Sequence, residues 1–128
     1  MKIGEVCNRE VTFAYEHERL DDAAKLMRKH HVGSLIVVAK DDPRGRVPVG
    51  ILTDRDIVVG VLTGGLDYRT VTVGEVMTRD PISVSDDEDV LEALKIMRRR
   101  GVRRLPVITR TGTLAGIVTI DDLLELFA

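Results

Sequence analysis

Residues 3–38 read IGEVCNREVTFAYEHERLDDAAKLMRKHHVGSLIVV, and residues 73–108 read VGEVMTRDPISVSDDEDVLEALKIMRRRGVRRLPVI. Laid over each other without a gap, they are identical at about a third of positions and alike in polarity at most others, which marks an internal duplication. The register then slips by about four residues, because AKDDPRGRVPV (39–49) is longer than TRTGTLA (109–115), and it resumes at GILTDRDI (50–57) and GIVTIDDL (116–123). A length difference inside a stretch rich in Gly, Pro and Asp is what a surface hairpin loop tolerates. LTGGLDYRTVT, running from Leu62, joins the copies. The expected division is a first copy over 1–62, a linker over 63–72 and a second copy over 73–128.

Both copies carry the same order of signals. Leu20, Ala23, Ala24 and Met27 fall at i, i+3, i+4 and i+7, and Val90, Ala93, Leu94 and Met97 repeat that stripe, so each copy predicts a helix with one face to bury. Ser85 and Glu88 form a capping-box pattern ahead of the second helix, and Gly101 supplies a residue suited to a left-handed C-terminal turn. The first copy has Tyr15 and His31 at those places, which predicts less sharply defined helix ends. SLIVVA then VPVGIL, and RLPVI then LAGIVT, read as paired strands separated by turn residues. A closing helix follows in each copy, DIVVGVL and DDLLELFA, the first weakened by its β-branched residues. With a short extended stretch before each long helix, the unit is β-α-β-β-α. The predicted fold is α+β, built from two such tandem units packed with approximate two-fold symmetry, because one three-stranded sheet with helices on one face leaves its other face uncovered.

Composition narrows the function. The chain has 128 residues, 44% of them hydrophobic and 31% charged, the profile of a globular domain that buries about two-thirds of its unfolded surface. A net charge of -2 and a pI near 5.9 provide no field for attracting nucleic acid. Neither a run of about 18 apolar residues nor an export leader is visible, so the expectation is a cytoplasmic protein without membrane contact. Cys7 is the single cysteine and reads as a small buried hydrophobe. His17, His30, His31 and Cys7 lack the spacing of a metal site, and SDDEDV lacks the glycine and terminal glutamate of a calcium loop. No metal is expected. No nucleophile with its base, and no paired acid and base, stands out as a catalytic set, so the chain reads as a non-enzyme.

The duplicated unit, the VGEVM opening, the VRRLPV strand and the twice-repeated GxxTxxD ending resemble the cystathionine-β-synthase (CBS) domain, two copies of which form a CBS pair. The resemblance runs from Ile3 to about Leu126. It implies a regulatory module, without an obligatory cofactor, that binds AMP, ADP, ATP or S-adenosylmethionine in clefts between the copies. It also implies a homodimer packed through its helices and an effector protein not visible in this sequence. In the family pattern the threonine reaches phosphate and the aspartate holds ribose hydroxyls, which falls on Thr53 and Asp56 and on Thr119 and Asp122. Around the base the resemblance points to Thr12, Phe13, Ile82 and Ser83, and to strand residues Val37, Pro106 and Val107, all of them core positions first.

The chemistry of the residues suits those roles. An ionised carboxylate has two acceptor oxygens for the vicinal hydroxyls of a ribose and repels phosphate. A helix start offers free N–H groups to an anion. Arg55 in the first motif, and Arg103 and Arg104 at the second strand entrance, are the cations expected near phosphate, whereas Arg98, Arg99 and Arg100 fit a helix C-terminus. Because Ile120 replaces Arg55 in the second motif, the first site is expected to be better prepared for a charged tail. The competing reading is purely structural. Thr53 with Asp56, and Thr119 with Asp122, are also the pattern of a helix cap, and an assembly module with empty clefts would need nothing more.

Overall fold

The computed structural model describes residues 1–127. The apolar stripes foreseen in the sequence are helices α2 (Leu20–His30) and α5 (Val90–Arg100), which bury Leu20, Ala23 and Met27 and, equivalently, Val90, Ala93 and Met97. They follow the short helices α1 (Ile3–Val6) and α4 (Val73–Val76) and precede the closing helices α3 (Asp54–Val58) and α6 (Ile120–Glu125). α3 runs on into a wider π-helical turn over Val59–Thr63, so the closing helix foreseen in DIVVGVL is regular only in its first half.

Strand order follows the hydrophobic runs. β1 (Phe13–Tyr15) pairs parallel with β2 (Ser34–Val38), which pairs antiparallel with β3 (Pro48–Thr53). A short β4 (Thr78–Arg79) adds antiparallel to β3, so this sheet has four strands rather than three. In the second sheet β5 (Val84–Ser85) is parallel to β6 (Arg104–Ile108), and β6 is antiparallel to β7 (Leu114–Thr119). The architecture is therefore α+β with two sheets.

Two details differ from the sequence reading. Ser85 does not cap α5; it lies in β5 and its hydroxyl accepts a hydrogen bond from Asp87 N, while Asp89 is the cap and accepts from Leu91 N at 2.9 Å. At its C-terminus the first long helix ends as the second does, because His31 takes the left-handed conformation (φ 54°) that Gly101 takes in α5 (φ 66°), while at its N-terminus Arg19 provides no side-chain cap where α5 has Asp89. Histidine tolerates that region better than a β-branched residue would.

Two compact units divide the chain: residues 12–81, and residues 1–11 together with 82–128. Each sequence copy thus lends its opening helix to the sheet of the other copy. In the first unit Val73 and Met77 join Ala14, Leu20, Leu35, Val37 and Leu52 in the core; in the second, Ile3 joins Val84, Met97, Leu105, Val107, Val118 and Leu123. Backbone bonds fix the exchange, with Val73 N donating to Glu18 O, Gly74 N to Glu16 O, Ile3 N to Glu88 O and Gly4 N to Asp86 O.

The segment after each opening helix passes close to a motif glycine. A Cβ added to Gly50 would meet the Met77 sulfur at 2.5 Å and the Thr78 carbonyl oxygen at 2.9 Å, and one added to Gly116 would meet the Asn8 carbonyl oxygen at 2.6 Å. These glycines are required where one chain segment crosses another.

Candidate functional site

The repeated GxxTxxD segments turn the last residue of a sheet strand into the cap of a helix. Thr53 ends β3 in an extended conformation, and its hydroxyl oxygen accepts from Asp56 N at 3.1 Å. Asp56 Oδ2 accepts from Thr53 N at 2.9 Å, closing a reciprocal box. Thr119 and Asp122 repeat it at 3.1 and 3.3 Å. The structural reading of the motif is therefore satisfied in both copies. One oxygen of each carboxylate serves the box, and the other keeps its acceptor sites for a further partner.

Each turn is also stitched to the start of the neighbouring strand. Asp54 N donates to Gly33 O at 2.9 Å and Ile120 N donates to Arg103 O at 2.8 Å. Thr53 stands opposite Ser34, and Thr119 stands opposite Arg104. The second turn thus gathers Arg103 and Arg104 beside Thr119 and Asp122, whereas the first turn has Arg55 alone beside Thr53 and Asp56. Within its own unit the second turn has two arginines at adjoining backbone positions where the first has one. Arg103 faces Asp121 at 3.7 Å across an exposed surface, a contact that contributes little to stability. Arg55 and Asp56 open onto a recess of about 350 Å³ that Glu75, Val59, Gly60, Leu66 and Val76 complete.

The remaining residues expected at the site belong to the sheets of both units and the segments leading into them. Val37 and Val107 have no exposed surface and belong to the two cores. Pro106 is buried in β6 opposite Ile117. Thr12 contributes its carbonyl oxygen to Ile36 N, and Ile82 packs on the second core while Ser83 beside it is half-buried. Phe13 lies opposite Ile36, with β2 separating it from Thr53, and its ring is covered by the Arg46 guanidinium at 4.2 Å. Arg46 went unnoticed in the sequence; the only signal was the extra length of its loop. The glycines of the motif are occupied by the chain crossings described above, so open space for a ligand is not what demands them.

The profile of the CBS domain matches residues 3–63 and 73–128. The chain belongs to the CBS-domain family. It is 42% identical over 120 residues to hypoxic response protein 1 of Mycobacterium tuberculosis, which covers 93% of this chain and 80% of that protein. A crystal structure of Hypoxic Response Protein I with two coordinated zinc ions, 38% identical, superposes with a TM-score of 0.85 over 98% of both chains. Among the described residues of the present chain, no three His, Cys, Asp or Glu side chains group to hold a metal ion. Two further CBS structures superpose at 28% identity. PAE2072 of Pyrobaculum aerophilum, complexed with AMP, has a TM-score of 0.85 over 99% of this chain and 98% of that one. The CBS pair of MJ0100, in complex with 5'-methylthioadenosine and S-adenosyl-L-methionine, has a TM-score of 0.82 over 99% and 95%. The chain spans 62% of the length of a 37% identical relative from Methanopyrus kandleri, which it matches over 98% of its own residues. Among the described residues no helix is long and apolar enough to cross a membrane.

Proposed function

We propose that this CBS pair is a non-catalytic regulatory module that binds an adenosine-containing ligand, AMP, ADP, ATP or S-adenosylmethionine, at its Thr/Asp turns and signals to an effector protein. The reading carries over the copies as 1–62 and 73–128 about a linker of 63–72, and takes the working form as a homodimer. The observation that carries it is the complex of PAE2072 with AMP, a chain matched almost end to end by this one. The free oxygen of Asp56 and of Asp122 accepts ribose hydroxyls, and Thr53 or Thr119 with the nearby arginines receives phosphate or another polar tail.

Calorimetric titration with AMP, ADP, ATP, S-adenosylmethionine and NAD, after removal of any copurified ligand, tests the reading. Saturable binding of an adenosine compound supports it. Silence across the panel favours the second reading, a ligand-free assembly module, which rests on both Thr/Asp pairs being complete capping boxes with a structural role of their own.

A further inference from the structure

The first hairpin differs from its counterpart in more than length. Between β2 and β3, residues 39–47 form a loop held by its own bonds: Ala39 N donates to Val47 O at 2.8 Å, and Asp42 Oδ1 accepts from Arg44 N at 2.9 Å. The Arg44 guanidinium also grips both Asp42 oxygens at 3.1 Å, which holds the carboxyl below its ordinary range and balances the negative charge it carries. Beside the loop, Phe13 and Tyr15 meet edge to face at 5.8 Å, and His17 stacks on Tyr15 at 5.8 Å. Half of the four aromatic residues in the chain are thus at this one place. In the second copy the aligned positions are Ser83, Ser85 and Asp87, and that hairpin carries Thr109, Thr111 and Thr113 joined through their hydroxyls.

The first hairpin and the Tyr15/His17 pair border a concavity of about 530 Å³ whose walls include Tyr15, His17, Lys40, Asp41, Asp42 and Arg46. That volume is in the range of small-molecule pockets. The Arg46 guanidinium sits over the Phe13 ring, 4.2 Å from its centroid, in a cation–π contact that holds it where it lines the concavity. Among the described residues, neither Lys40 nor Arg46 has a carboxylate partner, whereas Asp42 is already matched by Arg44. The charges not already paired are therefore two cations against the single carboxylate of Asp41. Tyr15 pairs with Val38, four residues along β2 from the Ser34 that faces Thr53, a separation of roughly 13 Å along the strand. The concavity is at the opposite end of the sheet from the Thr53/Asp56 turn.

We propose that this hairpin concavity is a second binding site, for a flat aromatic ring bearing an anionic substituent. The Tyr15/His17 stack receives the ring and Arg46 with Lys40 receives the negative charge, while Phe13 positions Arg46. The site does not depend on ligand binding at the Thr/Asp turns.

Amide-resolved NMR titration of the full chain with AMP, phenyl phosphate, adenosine and ribose 5-phosphate tests it. AMP and phenyl phosphate are expected to give saturable shifts at Tyr15, His17, Gly45 and Arg46, with adenosine and ribose 5-phosphate binding there about tenfold or more weakly, since either the ring or the charge is missing. The double variant Tyr15→Ser, His17→Asp, which carries the residues of the second copy, and the single variant Arg46→Ala should each lose these shifts, with unchanged core resonances showing that they fold. Asp56→Ala should retain them. The proposal is overturned if no probe shifts the hairpin amides, if the hairpin variants bind as the parent does, or if Asp56→Ala abolishes the shifts and so assigns them to the other end of the sheet.

Discussion

Thr53 and Asp56 hold each other's backbone N–H groups, so a ligand that takes the Asp56 carboxylate either uses its second oxygen or opens the box. The two consequences separate by substitution. Asp56→Asn keeps a carbonyl oxygen for Thr53 N and is expected to leave stability within about 0.5 kcal/mol of the parent while weakening ligand binding through loss of charge. Asp56→Ala or Asp122→Ala should lose about 0.5–2 kcal/mol of stability, as a lost cap does, and charged hydrogen bonds to ribose of roughly 1.5–3 kcal/mol, or about 10- to 150-fold in affinity. Urea denaturation and calorimetry read these separately; unchanged affinity in both alanine variants refutes the ribose assignment. Asp42 offers a pH test. Arg44 lowers its folded pKa, so its contribution to stability is present above the ordinary carboxylate value of 3.8 and is lost as pH falls through the lower folded value. In Arg44→Ala the Asp42 carboxyl should titrate higher than in the parent, as followed by NMR.

The closing helices are anchored unequally. α6 plants Leu123 in the second core with no exposed surface, while neither α3 nor the π-helical turn contains a fully buried residue and Ile57 packs on the first core only in part. Leu123→Ala should therefore cost about 2–5 kcal/mol by leaving a cavity, and Ile57→Ala distinctly less, measured by chemical denaturation. The opening helices make the opposite point about size. Gly50→Ala and Gly116→Ala each drive a Cβ against a carbonyl oxygen of the crossing segment, so the backbone must shift; about 1–3 kcal/mol of destabilisation is expected from thermal or urea unfolding. An unchanged midpoint in both would show that the crossings can relax.

The surface leaves apolar side chains exposed on helical elements of both units: Val58 and Leu62 on α3 and the π-helical turn, Leu91 on α5 and Leu124 on α6, with Leu62 77% exposed. In the first unit they border a groove of about 280 Å³ lined by Leu20, Ala24, Ile57 and Val61. The proposed homodimer would cover such surface, and Leu62→Glu combined with Leu124→Glu is expected to yield a monomer in sedimentation experiments where the parent is a dimer. Ligand binding regulates such an assembly only to the extent that it prefers one arrangement over another, so the affinities of parent and monomeric variant should differ if the two events are coupled.

The duplication, the two amphipathic helices, the hairpin strands and both Thr/Asp capping boxes were legible in the linear sequence, because each depends on contacts among residues only a few places apart or on a pattern of fixed period. Other features depended on residues far apart in the chain. No periodicity shows that Ile3 belongs with Leu105 and Val73 with Leu35, and only that exchange explains why Gly50 and Gly116 have no side chain. Asp89 rather than Ser85 caps α5 because β5 pairs with β6 and takes Ser85 into the sheet. The gathering of Arg104 beside Thr119, and of Arg46 over Phe13, likewise required strand pairing and loop closure. Local propensity decided the elements; long-range packing decided which of their side chains share a site.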